Sequence, residues 1–325
     1  MDYKLIFNSL ISEAKSIAIL GHLGPDGDCA GSVLGVYNYI LNLVREKHLE
    51  EKLVIPYLEE FSNKFSYLNG YEDVVHEPTD KSYDLCIVCD CGDDSRLGKF
   101  SIIQKNAVHS FCLDHHITNK GFAEYCIVKP EASSSCEVLF DLLEEDMLDK
   151  NTAECIYTGI IHDTGVFRYS STSRHTMDIA GKCMSFGFDF GKIIDDSFFS
   201  MSLTQKKVMG KVLFETESYL DGKVIVGSID AASMKEYGVT NKDMDGIIDN
   251  LRTTRNALCA IFMYQTLNRQ YKISMRSNSD DINVALIAQG FGGGGHVKAA
   301  GCFLGPSIKE NTQKLLSEIE KQLNK

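Results

Sequence analysis

Four carboxylates and two imidazoles recur in this chain just beyond apolar segments. Asp26 and Asp28 lie in Gly21-His22-Leu23-Gly24-Pro25-Asp26-Gly27-Asp28, which follows the apolar run 16–20. Asp90 opens Asp90-Cys91-Gly92 after the run 84–89, and His115 lies in Asp114-His115-His116 after 109–113. Asp163 lies in His162-Asp163-Thr164-Gly165, at the close of a segment of helical periodicity. This inventory suits a two-metal site. Asp26, Asp28, Asp90 and Asp163 supply four negative charges, which two divalent cations neutralise; without metal, carboxylates sharing one crevice repel and are pushed toward protonation. His22 and His115 add neutral imidazole ligands, and an oxygen-rich set with some imidazole favours Mn²⁺. Two such cations, about 3.5–4 Å apart, can hold a bridging hydroxide and neutralise a phosphate during in-line displacement. Taken singly, each segment also fits an ordinary turn, cap or polar loop. Their recurrence beyond apolar segments is what points to a site.

A second constellation lies near the C-terminus. Gly292-Gly293-Gly294-Gly295-His296 precedes Ala299-Ala300-Gly301. Consecutive glycines let backbone N–H groups approach an anion closely, although the segment alone also fits a flexible loop. No Gly-Lys-Ser/Thr ending follows, so it is not a P-loop. Upstream, Arg276-Ser277 closes a strand-like run and offers a guanidinium suited to bidentate phosphate contact.

The elements that must position these groups follow from hydrophobic periodicity. Strands are predicted at 16–20, 52–58, 84–89, 109–113 and 125–128, with helices at 28–44, 133–145 and 151–162 between and after them. The 84–89 run is nearly all apolar, as a strand buried on both faces should be. Alternating strand and helix imply an open, mostly parallel α/β sheet, whose ligand crevice lies beyond the carboxyl ends of its strands. The texture changes near residue 190. An amphipathic helix is predicted over 202–219, strands at 223–229, 257–265, 271–276 and 301–304, and helices at 242–250, 283–288 and 307–323. The expected organisation is a catalytic domain over 1–195, a connecting helix over 196–218 and a smaller α/β domain over 219–325, with a cleft between the two domains.

Composition bounds the partners. The chain has 325 residues, enough for about two domains. Its net charge of −12 argues against long duplex nucleic acid, which needs a basic face. A small anionic substrate in a locally positive pocket remains compatible with it. No apolar run approaches the roughly 20 residues of a membrane span, and the N-terminus reads as no signal peptide. The 11 cysteines show no paired framework and suit a reducing cytoplasm. Cys86, Cys89 and Cys91 lack the second Cys/His pair that a zinc knot needs.

The segments HLGPDGD (22–28), CDCGDDSRLG (89–98), DHHITN (114–119), ASSSCE (132–137) and YTGIIHDTGVFRYSST (157–172) resemble the successive motifs of the DHH phosphoesterases. MRSN (275–278) and FGGGGHVKAAG (291–301) resemble the DHHA1 domain. The resemblance runs in order along nearly the whole chain and is closest to the NrnA group of bacterial oligoribonucleases (nanoRNases), which also act on 3′-phosphoadenosine 5′-phosphate (pAp). It implies that His22, Asp26 and Asp90 hold one Mn²⁺ and that Asp28, Asp90, His115 and Asp163 hold the other, with Mg²⁺ or Co²⁺ as substitutes. Asp114 would orient an imidazole, and His116 would stabilise charge or protonate the leaving oxygen. Arg276, Ser277, Gly294, Gly295 and His296 would grip the terminal phosphate or base. Asn119, Ser134, Arg96 and Arg168 are further candidates for the cleft lining. The implied substrates are RNA fragments of two to five nucleotides, pAp or dinucleotides, and a homodimer fits the family. The main rival is a cyclic di-AMP phosphodiesterase. A family II inorganic pyrophosphatase should lack the glycine loop, and a non-catalytic nucleotide sensor should have lost metal-ligand positions that are all present here.

Overall fold

The computed structural model describes residues 2–324 and divides into two compact units, with the boundary after Ser200. In the first unit β1 (Ser16–Leu20), β2 (Leu53–Tyr57), β3 (Leu85–Cys89), β4 (His109–Asp114) and β5 (Tyr125–Val128) form one sheet in the order β2-β1-β3-β4-β5. Every pairing is parallel. These strands lie where the apolar runs predicted them, to within two residues. The alternation of side chains sorts each strand between two cores. Ile17, Ile19, Ile87 and Phe111 face one, while Ala18, Leu20, Val88 and Cys112 face the other. All five residues of β3 are buried, and each large aliphatic among them stabilises the unit by about 1.5–3 kcal/mol.

The helices of this unit are α1 (Tyr3–Glu13), α2 (Gly27–Glu46), α3 (Ser101–Asn106), α4 (Ser135–Leu142), α5 (Lys150–Asp163), α6 (Arg174–Met184) and α7 (Phe190–Ile194). Helix α2 is buried along almost its whole length and packs most extensively against α5. That approach needs a residue without a side chain. A Cβ at Gly31 would lie 2.5 Å from the Cys155 carbonyl oxygen. The chain runs from β1 out to β2 on one side and then back to β3 on the other, so the strand order reverses between β1 and β3. In an open α/β sheet this switch point opens a crevice at the carboxyl ends of the strands.

The second unit contains α8 (Leu203–Phe214), β6 (Glu217–Tyr219), β7 (Val224–Ile229), α9 (Ala231–Tyr237), α10 (Ile247–Arg252), β8 (Cys259–Gln265), β9 (Tyr271–Ser277), α11 (Val284–Gly290), β10 (Gly294–His296), β11 (Ala299–Leu304) and α12 (Ile308–Leu323). Its sheet order is β10-β11-β9-β8-β7-β6, antiparallel except for β7 beside β8. Two predicted helices differ. The 202–219 helix stops at Phe214, and its last residues form the edge strand β6. The 242–250 helix is broken: Gly246 adopts φ 80°, so a short 3₁₀ turn precedes it and α10 begins after it. Among the described residues no helix is long and apolar enough to cross a membrane.

Candidate metal centre

The crevice at the switch point collects the predicted ligands. His22 follows β1. Its Nδ1 lies 2.9 Å from the Leu23 carbonyl oxygen, and its Nε2 lies 3.4 Å from Asp90 Oδ2 and 3.9 Å from Asp26 Oδ1. Asp26 is the N-cap of α2, with Oδ1 accepting from the N–H groups of Asp28 and Cys29. Asp28, in the first turn of α2, is fully buried. Its two oxygens accept from the backbone N–H groups of Ser135, at 2.6 Å, and Cys136, at 2.9 Å. The N-terminus of α4, where peptide dipoles favour negative charge, thus holds this carboxylate in place.

Asp90 follows β3 with φ 55°, a left-handed conformation that Asp tolerates better than most residues. The turn leaves its Oδ1 accepting from Ser135 Oγ at 2.9 Å and 3.8 Å from His115 Nε2. His115 Nε2 also meets Asp163 Oδ2 at 3.1 Å and Asp28 Oδ2 at 4.0 Å. Asp163 is the last residue of α5. Beyond it the chain turns tightly through left-handed Gly165, Val166 and Phe167, and the Thr164 hydroxyl ties the turn to the Ile160 carbonyl. His116 Nδ1 is 2.7 Å from Asp114 Oδ1, and the other oxygen of buried Asp114 accepts from Asn119 Nδ2 at 2.8 Å.

The electrostatics match this donor set. Burial, reinforced by Asp90 and Asp163, pushes the Asp28 carboxyl well up, and burial also raises Asp90. Burial opposes charge on His115, but its hydrogen bond to Asp163 and the surrounding carboxylates raise it to about 10. Burial also works against charge on Asp114. There the hydrogen bonds from His116 and Asn119 prevail and hold it below the usual carboxylate range. The crevice is therefore short of positive charge, and it presents carboxylate oxygens and imidazole nitrogens. Three sets of potential ligand atoms each converge within 4.8 Å: His22 with Cys29 and Asp90, Asp90 with His115 and His116, and Asp28 with His115 and Asp163. These residues fit divalent cations with a hard-to-borderline preference.

Some predicted positions have other tasks here. Ser134 is buried as the N-cap of α4, accepting from the Glu137 N–H. Its neighbour Ser135, which the sequence did not single out, reaches Asp90 instead. Asn119 points at Asp114 and the Cys91 carbonyl. The Arg96 guanidinium donates to the Leu23 carbonyl and lies 2.8 Å from His22 Nδ1, beside the centre. Arg168 is exposed. Cys29, also not singled out, accepts from the His22 N–H. Burial raises its thiol well above the ordinary value.

In the second unit, His296 pairs with Ala299, and Ala299 pairs with Arg276. Directly opposed residues share a sheet face. Arg276 and His296 therefore flank Ala299 on one face, alongside the exposed backbone of Gly294 and Gly295. Ser277 alternates to the other face, where its buried hydroxyl donates to the Ser279 carbonyl.

The close packing around Asp28 makes a test. A Cβ at Gly159 of α5 would lie 2.2 Å from Cys136 Sγ and 2.6 Å from Asp28 Oδ1. Gly159→Ala is expected to destabilise the first unit by about 1–3 kcal/mol, the usual cost of overpacking, and to weaken metal affinity. Thermal melts with and without Mn²⁺ read both effects.

Known proteins bear on this geometry. The bifunctional oligoribonuclease and PAP phosphatase NrnA of Thermus thermophilus is 25% identical over 99% of this chain and 94% of that protein. The cyclic-di-AMP phosphodiesterase PdeA of Listeria monocytogenes is 26% identical over 96% of this chain but only 48% of its own length. The crystal structure of an exopolyphosphatase-related protein from Bacteroides fragilis superposes with a TM-score of 0.85 at 25% identity, covering 98% of this chain and 96% of that one. Residues 16–160 match the model of the DHH family N-terminal domain, and residues 221–325 match that of the DHHA1 domain. The two matches run in order along the chain: it carries a DHH-family N-terminal domain over residues 16–160, followed by a DHHA1 domain over residues 221–325.

Proposed function

We propose that this protein hydrolyses short oligoribonucleotides to mononucleotides and converts pAp to AMP, with two divalent cations, Mn²⁺ foremost, in the crevice of the first unit. The observation that carries this reading is the convergence of Asp28, Asp90, His115 and Asp163 with His22 at the switch point. A full-length NrnA relative supports the substrate class. His22, Asp26 and Asp90 would hold one cation, and Asp28, Asp90, His115 and Asp163 the other. When bound, the cations neutralise charge on the phosphoryl oxygens and acidify water.

The chain's own groups do the rest. Ser135 Oγ and the α4 amides fix the orientation of Asp90 and Asp28. Asp114 takes the hydrogen bond of His116 Nδ1, which frees Nε2 to give a proton to the leaving oxygen. We assign catalysis to residues 1–195 and substrate capture to 219–325, where Arg276, His296 and the Gly294–Gly295 backbone take the terminal phosphate. Arg276→Ala is expected to raise KM about 10–100-fold, the worth of a charge-assisted hydrogen bond, with a smaller change in kcat. An unchanged KM removes Arg276 from the substrate site. All 11 cysteines are free thiols, which supports a reducing, cytoplasmic setting.

The test is a Mn²⁺-dependent turnover panel of a 5′-phosphorylated RNA dinucleotide, a long RNA, pAp, cyclic di-AMP and pyrophosphate. Preferred release of mononucleotides from the dinucleotide and of AMP from pAp supports the proposal. The PdeA relative favours cyclic di-AMP as the second reading, and turnover of cyclic di-AMP alone would establish it in place of the first.

A further inference from the structure

Behind His116 lies a pair of thiols that the hydrolytic chemistry does not use. Cys112 of β4 and Cys126 of the edge strand β5 are register partners. Adjacent strands run about 4.7–4.9 Å apart, inside the 4.4–6.8 Å range of Cα separations that a disulfide spans. Both side chains belong to the same sheet face and the same core. The amide of Asn119 joins them. Its Nδ2 donates to Cys112 Sγ at 3.7 Å, and Cys126 Sγ donates to Asn119 Oδ1 at 3.8 Å. Asn119 thus bridges the two sulfurs. That same Nδ2 donates to Asp114 Oδ2, whose partner oxygen holds His116.

We infer that Cys112 and Cys126 form a redox-sensitive dithiol that a hydroperoxide closes to a disulfide, lowering hydrolysis through Asn119, Asp114 and His116. The two thiols differ in ways that set their order of reaction. Cys126 is only partly buried, whereas Cys112 is fully buried. Its neighbour Cys112 holds the Cys126 thiol below its ordinary value, and the same contact, with burial, pushes Cys112 well up. Cys126 is thus the attacking sulfur and Cys112 the resolving one.

The Cys126 thiolate attacks the O–O bond, taking one oxygen as sulfenic acid while the other leaves as water or alcohol after gaining a proton. Cys112 then attacks the sulfenic sulfur. An S–S bond forms, the S–O bond breaks, and the hydroxide departs as water with the Cys112 proton. Two thiols are oxidised and one peroxide is reduced. The Cys126 S–H donor is lost and the sulfurs draw together, so Asn119 loses its contacts to both and the support of Asp114 weakens. A reductant such as dithiothreitol reverses the change.

The experiment treats the reduced full-length protein with graded hydrogen peroxide. It follows disulfide linkage by peptide mapping and turnover by product chromatography. The linkage is read by mass and is independent of the proposed function; only the activity arm rests on that reading. The expected result is a Cys112–Cys126 linkage ahead of oxidation elsewhere, with a fall in kcat of about 10–100-fold, the usual cost of losing outer support at a metal site. Dithiothreitol should restore the activity. Cys126→Ser, measured against its own untreated activity, should resist peroxide. Oxidation of other cysteines while this pair stays unlinked would overturn the dithiol. Linkage with unchanged kcat, or an equal peroxide loss in Cys126→Ser, would overturn its coupling to His116.

Discussion

Replacing Asp90 with Asn is expected to lower kcat/KM about a thousandfold or more, while the metal-free protein melts no lower than the wild type. The two effects have one cause. Asp90 faces both His22 and His115, so its charge serves both halves of the candidate centre. Losing it forfeits several kcal/mol of the charge stabilisation that bound cations supply. Without metal, that same charge is a liability. It is buried among carboxylates, raises the Asp28 carboxyl, and is itself raised by burial and by Asp26 and Asp163. Neutralising it removes like-charge repulsion. Asparagine also tolerates the left-handed backbone at this position, so little strain is added. Melts should show a flat or higher midpoint without metal and a much smaller rise on adding Mn²⁺. Full activity in the variant would remove Asp90 from the centre.

His116→Ala should lower kcat about 10²–10⁴-fold on an RNA dinucleotide, the range of general acid catalysis. A substrate with a nitrophenolate leaving group needs no proton at the departing oxygen, so on it the loss should shrink to about tenfold or less. An equal loss on both substrates would assign His116 to positioning or charge stabilisation instead. Asp114→Asn keeps the shape but surrenders the charge that orients the ring at 2.7 Å. It should cost about 10–100-fold, with the same dependence on leaving group.

The first unit was legible because a strand buried on both faces must be apolar throughout. Leu85–Cys89 could be little else, and the polar residues after such a run could only sit at the crevice. Much of the ligands' support was not legible. The grip on Asp28 comes from backbone N–H groups of Ser135 and Cys136, which carry no residue signature. Helix α1 buries only Phe7 and Ile11, a stripe too thin to stand out, though Asp2 as its cap was a usable signal. Arg276 and Ser277 were grouped as neighbours in sequence. Strand alternation, which could have been applied to 271–276, puts them on opposite faces.

The candidate ligands run from His22 to Asp163, and the strands that lead into them, β1, β3 and β4, join the sheet in parallel. His22, Asp26 and Asp28 share one short stretch, but each proposed ligand set also draws on Asp90, which lies beyond the long crossovers that parallel neighbours need, so no short stretch completes either set. A metal bound at this centre would therefore be a passenger of folding rather than its template. In stopped-flow experiments, added Mn²⁺ should leave the refolding rate of the first unit unchanged and slow its unfolding, the behaviour of contacts that form only after the transition state. Metal supply would then set how long a finished molecule lasts, and leave untouched how quickly a new one is made.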